Sequence, residues 1–82
     1  MKDFHYVYIL ESQLEPDHFY TGSTSNLANR LKKHNEGGCP HTAKFRPWEY
    51  KNYFAFNSKE KALKFEKYLK SGSGREFAKR HF

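Results

Sequence analysis

The first strong pattern in the chain is an apolar run at residues 4–10, FHYVYIL. Successive side chains of a β-strand point to opposite faces, so Tyr6, Tyr8 and Leu10 share one face while Val7 and Ile9 share the other. Both faces are apolar, which is typical of a strand that is covered on both sides. The pattern therefore predicts a first strand at the centre of a sheet.

Two further strands are predicted from the same kind of pattern. A turn-like loop leads to a second short strand at residues 18–22, and so short a connection favours an antiparallel hairpin over a helical crossover. Residues 48–57, WEYKNYFAFN, alternate in character and predict a third strand. On strict alternation, one face of this strand carries Trp48, Tyr50, Phe54 and Phe56. Together the three segments predict a small antiparallel sheet.

Three helices are predicted between and after the strands. The first spans about 25–35, with N-cap oxygens offered by residues 23–25, STS, and two glycines at its end. The following segment, 37–47, is rich in glycine and proline and is predicted to be a loop. Near the end of the chain, Ser73 and Glu76 have the spacing of a capping box, which predicts the start of a short final helix.

The second helix carries a carboxylate on its apolar face. This helix is predicted to begin after Ser58 and to continue to about Lys70, with Phe65 and Leu69 among its core-facing positions. Glu66 falls inside the same apolar arc. A carboxylate in that position must be paired, coordinate a cation or lie in a cleft, because the burial of an unpaired charge is very costly.

The first helix also carries polar side chains beside its apolar stripe. Leu27 and Leu31 form the stripe, and Arg30 and His34 lie on its flank. In one interpretation these residues are structural: Arg30 pairs with Glu66 as a buried ion pair, and His34 is a hydrogen-bonded histidine at the rim of the core. In the other, the same side chains form a functional site.

Composition and charge narrow the classes of protein that are compatible with this chain. With 82 residues it is predicted to be one domain, in which the aromatic residues, 18% of the total, supply much of the buried area. The net charge of +6 is concentrated in residues 42–82, which contain eleven Lys/Arg and four Asp/Glu. This excess favours a polyanionic partner, with nucleic acid as the first candidate and an acidic membrane surface as the second. A lysine-rich solvated surface is the structural alternative.

Cysteine content and hydropathy bear on the compartment. The single cysteine, Cys39, excludes an internal disulfide, and no signal peptide is evident, so a reducing, cytoplasmic environment is expected. The apolar run at residues 4–10 is too short to span a bilayer. His34, Cys39 and His41 are zinc-ligand types, but a recognisable fourth ligand is lacking.

Taken in order, the polar and aromatic features resemble the GIY-YIG nuclease superfamily, and particularly its small stand-alone bacterial members of the UPF0213 type. The residues that carry the resemblance are Tyr6-Val7-Tyr8, Tyr20-Thr21-Gly22, Arg30, His34 and Glu66. Two positions depart from the motifs, since Tyr6 replaces a glycine and Thr21 an isoleucine. The resemblance implies a single α+β domain over residues 1–82, with a core at about 4–79. Its fold would be a three-stranded antiparallel sheet flanked by helices.

The resemblance also implies metal-dependent, structure-selective hydrolysis of DNA phosphodiester bonds in DNA repair or processing, and it suggests a role for each site residue. Glu66 would hold Mg²⁺ or Mn²⁺, which favour carboxylate oxygen, and Arg30 would bind the phosphate. Tyr8 and Tyr20 would position the attacking water, and one of them would accept its proton. Because a free tyrosine has a pKa of about 10, that role requires a neighbouring cation or a proton relay. His34 would orient a tyrosine or assist the transfer. The glycine that ends the second motif is expected to permit a tight exit from its strand.

Five basic residues are candidates for contacts with the nucleic-acid backbone. They are Lys44, Arg46, Lys64, Lys67 and Lys70. Such contacts depend on salt and carry little sequence information. The alternative function is a noncatalytic nucleic-acid-binding module with the same fold. The family often has a polar residue late in the domain, and Ser71 is the candidate counterpart here. A separate protein partner is expected to direct the domain to its substrate.

Overall fold

A computed structural model describes residues 4–82; residues 1–3 of the predicted domain lie outside the described residues. Seven elements follow one another along the chain: β1 His5–Ser12, β2 Phe19–Thr24, α1 Leu27–Asn35, α2 Pro40–Ala43, β3 Trp48–Phe56, α3 Lys59–Lys70 and α4 Gly72–His81. The strands form one antiparallel sheet in the order β2-β1-β3. The prediction of a three-stranded α+β fold is therefore confirmed.

The central strand β1 separates two hydrophobic cores. Tyr8 and Leu10 face α1 and pack with Trp48. Val7 and Ile9 face α3 and α4 on the opposite side of the sheet. All four of these β1 side chains are buried, as the doubly apolar pattern predicts. We call the two sides of the sheet the α1 face and the α3/α4 face.

Strict alternation along β3 is wrong, because the strand contains a β-bulge. Leu10 pairs with Tyr50 and Ile9 pairs with Asn52, so Lys51 is left as an extra residue between them. One extra residue reverses the faces of everything beyond it. Tyr50 consequently packs on the α1 face, whereas Phe54 and Phe56, beyond the bulge, pack on the α3/α4 face.

The helix ends differ from the sequence-based expectations in two places. Asn26, rather than a residue of 23–25, caps α1, and its side chain accepts a hydrogen bond from the Asn29 amide. Ser71, rather than Ser73, caps α4, because α4 follows α3 almost without a connection. Ser58 caps α3 as predicted.

The segment between α1 and β3 is not wholly a loop. The short helix α2, Pro40–Ala43, begins with proline at its first position, where a missing N–H costs nothing. No helix within residues 4–82 is long and apolar enough to cross a membrane.

Candidate active site

A buried chain of hydrogen bonds crosses the α1 face of the sheet. The hydroxyl of Tyr8 lies 3.0 Å from Nε2 of His34, and His34 Nδ1 lies 2.8 Å from Oγ1 of Thr42. Tyr8 is only 1% exposed and His34 is fully buried. His34 is thus not a rim histidine: α1 delivers it into the interior, where β1 and α2 supply its partners.

The direction of each hydrogen bond in this chain follows from Thr42. Its hydroxyl donates to the carbonyl of Cys39, and a hydroxyl has a single proton. Thr42 must therefore accept from His34, which places the imidazole proton on Nδ1. The remaining nitrogen, Nε2, is then a lone-pair acceptor for the Tyr8 hydroxyl. All the hydrogen bonds in this chain therefore point in one direction. A proton that leaves the Tyr8 hydroxyl lies next to a basic nitrogen, Nε2 of His34.

The environment keeps both partners of this contact neutral near pH 7. Burial raises the pKa of Tyr8, and the neighbouring Tyr20 raises it further, while the charge of Arg30 acts in the opposite direction. Burial lowers the pKa of His34, and Arg30 lowers it further. A neutral imidazole beside an un-ionised phenol is the resting state expected of a proton relay.

Gly22 provides the space that the Tyr8 side chain occupies. The two residues are paired across β2 and β1, and a Cβ atom at Gly22 would lie 2.6 Å from the Tyr8 hydroxyl oxygen. Gly22 lies within β2 and not at its end, so the expectation that it permits a tight turn is wrong. Glycine is needed here because the phenol passes directly over the backbone.

Two further predicted residues lie beside this buried pair. The ring centroid of Tyr20 is 5.1 Å from that of His34 and 6.4 Å from that of Tyr8, and Tyr20 is half-buried at the edge strand β2. Arg30, also half-buried, lies one helical turn before His34 on α1. Its positive charge lowers the pKa of Tyr8 and of His34, so Arg30 is near enough to act electrostatically on this cluster.

Two members of the cluster were not singled out from the sequence. Thr42 fixes the His34 tautomer, but it occurs in a segment that the proline and glycine content marks as a loop. Tyr50 packs edge-on against Tyr8 with centroids 5.4 Å apart, and its hydroxyl donates to the carbonyl of Leu27. The only sequence signal for Tyr50 is its place among the aromatic residues of β3, which does not separate a site residue from a packing residue.

Glu66 lies on α3, across the sheet from this cluster, and Lys70 connects the two. Its Oε2 atom lies 2.9 Å from the Lys70 ammonium, and the same ammonium lies 6.0 Å from the centroid of the Tyr20 ring. The predicted ion pair between Arg30 and Glu66 is wrong: within residues 4–82, the carboxylate of Glu66 pairs with Lys70, one turn further along α3. Arg30 instead approaches from α1, on the opposite face of the sheet.

The carboxylate of Glu66 is suited to a hard divalent cation. Burial pushes its pKa upward, but the Lys70 ammonium and the Ser23 hydroxyl outweigh burial and lower the pKa below its usual value. The group is therefore ionised at neutral pH, and its side chain is 18% exposed. Mg²⁺ often binds through one carboxylate, retains several waters and takes further oxygens from a phosphate, and Glu66 with Ser23 fits that demand.

Zinc is a poor fit to His34, Cys39 and His41. Both ring nitrogens of His34 are engaged, one with Tyr8 and one with Thr42. The part of the chain that the structure describes contains no group of three or more metal-ligand side chains.

The five predicted backbone-binding residues do not form one surface. Lys44 and Arg46 follow α2 on the α1 face, where Arg46 donates to the carbonyl of Ala43. The other three lie on α3, across the sheet, and Lys64 is exposed and paired with Glu60 at 3.4 Å. Of the five, Lys70 is adjacent to the Tyr20 and Glu66 side chains.

Comparison with known proteins identifies relatives of similar size. The chain is 36% identical over 72 residues to a UPF0213 protein of Haloquadratum walsbyi, a match that covers 87% of this chain and 79% of the relative. Its structure is similar to the solution NMR structure of a UPF0213 protein from Bacillus halodurans. That match has a TM-score of 0.56 and 38% sequence identity, and it covers 93% of this chain and 80% of the other.

Longer relatives contain a similar segment. A structure-specific endonuclease subunit SLX1 from Debaryomyces hansenii is 46% identical over 71 residues, which is 78% of this chain but 20% of that protein. The chain likewise covers 21% of the SLX1 subunit of Scheffersomyces stipitis. A family model described as the GIY-YIG catalytic domain matches residues 4–80. These matches confirm the resemblance seen in the tyrosine motifs, and the chain belongs to the GIY-YIG catalytic domain family.

Proposed function

We propose that this domain is a divalent-metal-dependent endonuclease that hydrolyses DNA phosphodiester bonds, with selectivity for branched DNA structures. The observation that carries this proposal is the polarised chain of Tyr8, His34 and Thr42, which ends beside Arg30 and Tyr20. Simple binding of nucleic acid does not require a buried tyrosine in contact with the lone pair of a neutral imidazole. Hydrolysis does require a group that accepts a proton from water.

Tyr8 is the general base in this mechanism. Its raised pKa disfavours a free phenolate, so it takes the proton of the attacking water as its own proton passes to His34 Nε2. His34 becomes an imidazolium that donates to Thr42 through Nδ1 and to Tyr8 through Nε2. Tyr20, at the open side of the cluster, positions the water.

Arg30 and Glu66 stabilise the phosphate from two sides. The planar guanidinium of Arg30 donates hydrogen bonds to the nonbridging oxygens, a geometry that lysine does not reproduce. Glu66 would hold Mg²⁺ or Mn²⁺, and the ion would supply Lewis-acid stabilisation of the phosphate charge and of the leaving oxygen. Lys70 releases Glu66 at little cost, because this pair is largely exposed on the lysine side.

The relatives support the class of substrate. SLX1 is described as a structure-specific endonuclease subunit, and the matched segment includes the family's catalytic domain. By analogy we propose a role in DNA repair or processing, a partner protein that supplies targeting, and activity in the cytoplasm, which the single cysteine also favours.

Cleavage of defined DNA substrates tests the proposal. Single-stranded, duplex, flap and branched DNA are incubated with Mg²⁺, with Mn²⁺ or with EDTA, beside Glu66→Ala and the control Glu60→Ala. Both glutamates lie on α3 and pair with a lysine four residues on, but Glu60 and its lysine are both exposed, whereas the lysine of Glu66 also approaches Tyr20. We expect metal-dependent cleavage that Glu66→Ala lowers by at least about a hundredfold and Glu60→Ala leaves unchanged.

Two outcomes would contradict this function. Equal cleavage by both variants would exclude Glu66 as the metal ligand. Salt-sensitive binding of every substrate with no cleavage in either metal would favour the noncatalytic binding module, for which the excess of basic residues is the supporting observation.

A further inference from the structure

A second concave surface lies on the α3/α4 face of the sheet. Its cleft has a volume of about 750 Å³ and runs between β2 and the helix pair. Ile9 and Leu69 contribute to its apolar floor, together with Ala78 and Phe82 from the end of the chain. None of these four side chains belongs to the buried chain of hydrogen bonds on the α1 face.

The β-bulge supplies one wall of this cleft. Lys51 is the extra residue of the bulge, and its side chain lines the cleft instead of the α1 face. Its ammonium lies 4.6 Å from the centroid of the Phe19 ring, which lines the same cleft and is 49% exposed. An exposed aromatic ring with a cation at its face is a surface on which a nucleic-acid base can stack.

The rim of the cleft is strongly positive. Exposed basic side chains from three elements border it: Lys51, Lys70, Arg75 and Lys79. Asp17 is the acidic residue among the described lining residues. An apolar floor with a cationic rim complements a chain that presents flat bases on one side and phosphates on the other.

The cleft is continuous with the proposed active site. Tyr20 and Lys70 both line it, and the Lys70 ammonium both pairs with Glu66 and lies 6.0 Å from the centroid of the Tyr20 ring. A strand cut beside Tyr20 therefore has a direct path around the edge strand β2 and into the cleft. A duplex has its bases stacked inside and presents only its backbone, so it cannot use the apolar floor.

We propose that this cleft binds the unpaired arm of a branched DNA substrate, as a continuation of the strand held at Tyr20. Phe19 stacks on a base of the arm, and the cations of the rim contact its phosphates. This inference rests on the proposed function and adds to it a physical source of selectivity: a substrate with an unpaired arm gains contacts that a blunt duplex lacks.

Binding without cleavage separates this proposal from the catalytic one. In EDTA, fluorescence anisotropy measures the affinity for a flap substrate and for a blunt duplex. Two double charge reversals are compared: Arg75→Glu with Lys79→Glu, both on α4 and in the cleft, and Lys61→Glu with Arg80→Glu, which lie on α3 and α4 outside it. Circular dichroism establishes that both variants are folded.

We expect the cleft variant to weaken flap binding at least about tenfold more than duplex binding, and the control variant to weaken both equally. For a single-stranded probe, the slope of log affinity against log salt should fall by about 0.7 for each phosphate contact removed. Phe19→Ala should lower flap affinity by about tenfold. The control Phe4→Ala, an exposed phenylalanine outside the cleft, should have no such effect. Equal losses for flap and duplex in the cleft variant would overturn the proposal.

Chemical shifts then locate the contact. Addition of a poly-thymidine strand of about ten nucleotides to ¹⁵N-labelled protein should shift the amides of Phe19, Lys51 and Ala78. If those amides respond to an acidic poly-glutamate peptide and not to the oligonucleotide, the cleft is a site for an acidic protein segment and the proposal is wrong. Failure of catalysis would leave these readouts unaffected.

Discussion

At the scale of single residues, the candidate site depends on the close contact between the Tyr8 side chain and Gly22, which has no side chain. The Tyr8 phenol lies over Gly22 and reaches His34, so the empty volume at Gly22 and the buried acceptor together determine where the hydroxyl is held. A proton relay works only at hydrogen-bond distance, so in the proposed mechanism both neighbours of Tyr8 affect catalysis without contacting substrate.

Gly22→Ala should disturb this arrangement. The new methyl group would lie 2.6 Å from the Tyr8 hydroxyl oxygen and 2.8 Å from its Cζ atom, and the buried ring has little room to move. We expect a loss of about 1–3 kcal/mol in the free energy of unfolding, measured by urea denaturation. We also expect a slower cleavage rate under conditions in which the variant is fully folded. Gly72→Ala is the control, because its Cβ would meet nothing within 4 Å. Equal stability of the two variants would show that Tyr8 is not constrained by Gly22.

The buried His34 should make stability depend on pH. Its pKa is lowered by burial in the folded protein, whereas in the unfolded chain it is about 6.5. The unfolded state therefore binds the proton first, so this contribution is fully present above pH 6.5 and is lost as pH falls toward the folded-state pKa. Unfolding measured between pH 7.5 and 5 should show a weaker pH dependence in His34→Gln than in His41→Gln, an exposed histidine. Identical profiles would contradict a neutral buried imidazole.

At the scale of elements, patterns that depend on neighbours in sequence were predictable and those that depend on other strands were not. The burial of both faces of β1 was predictable from the alternation of Val7 and Tyr8, because a central strand packs against other elements on both sides of the sheet. The faces of β3 could not be assigned, since the bulge at Lys51 arises from pairing with β1. The burial of His34 likewise depends on α2, whose residues have only loop-like signals.

Deletion of Lys51 should be tolerated by the fold, because it removes the bulge and one exposed side chain and leaves the rest of the β1–β3 pairing in register. Tyr50 and Asn52 would then follow each other opposite Leu10 and Ile9, so every remaining side chain of β3 keeps its present face. We expect the free energy of unfolding to change by no more than about 1 kcal/mol in urea denaturation. Deletion of Ala55 is the control: it moves Phe56 to the wrong face and should cost more than about 2 kcal/mol. Similar losses in both deletions would mean that β3 is not bulged at Lys51.

At the scale of the whole molecule, one sheet of three strands serves two cores and two surfaces. The α1 face holds the hydrogen-bonded site and the α3/α4 face holds the cleft. They meet at the edge strand β2, where Tyr20 contacts His34 and also lines the cleft. In our proposal β2 joins the chemistry to the recognition of the unpaired arm. The sharing of β1 between the cores also means that neither core can form without the other.

A cavity in one core should therefore unfold both together. Leu69 is 3% exposed and packs on the α3/α4 face, so Leu69→Ala should cost about 3–5 kcal/mol. Leu63, on the same helix but 45% exposed, provides the matched control and should cost little on truncation to alanine. Trp48, the single tryptophan, is buried in the opposite core, where its fluorescence reports on the α1 face. In Leu69→Ala, the urea midpoint measured by Trp48 fluorescence should shift as far as the midpoint measured by far-ultraviolet circular dichroism. The reason is that both cores pack on β1, so β1 cannot lose the packing on one face and keep it on the other. A fluorescence midpoint that stays at the wild-type value would show instead that the α1 face holds its structure independently of α3 and α4.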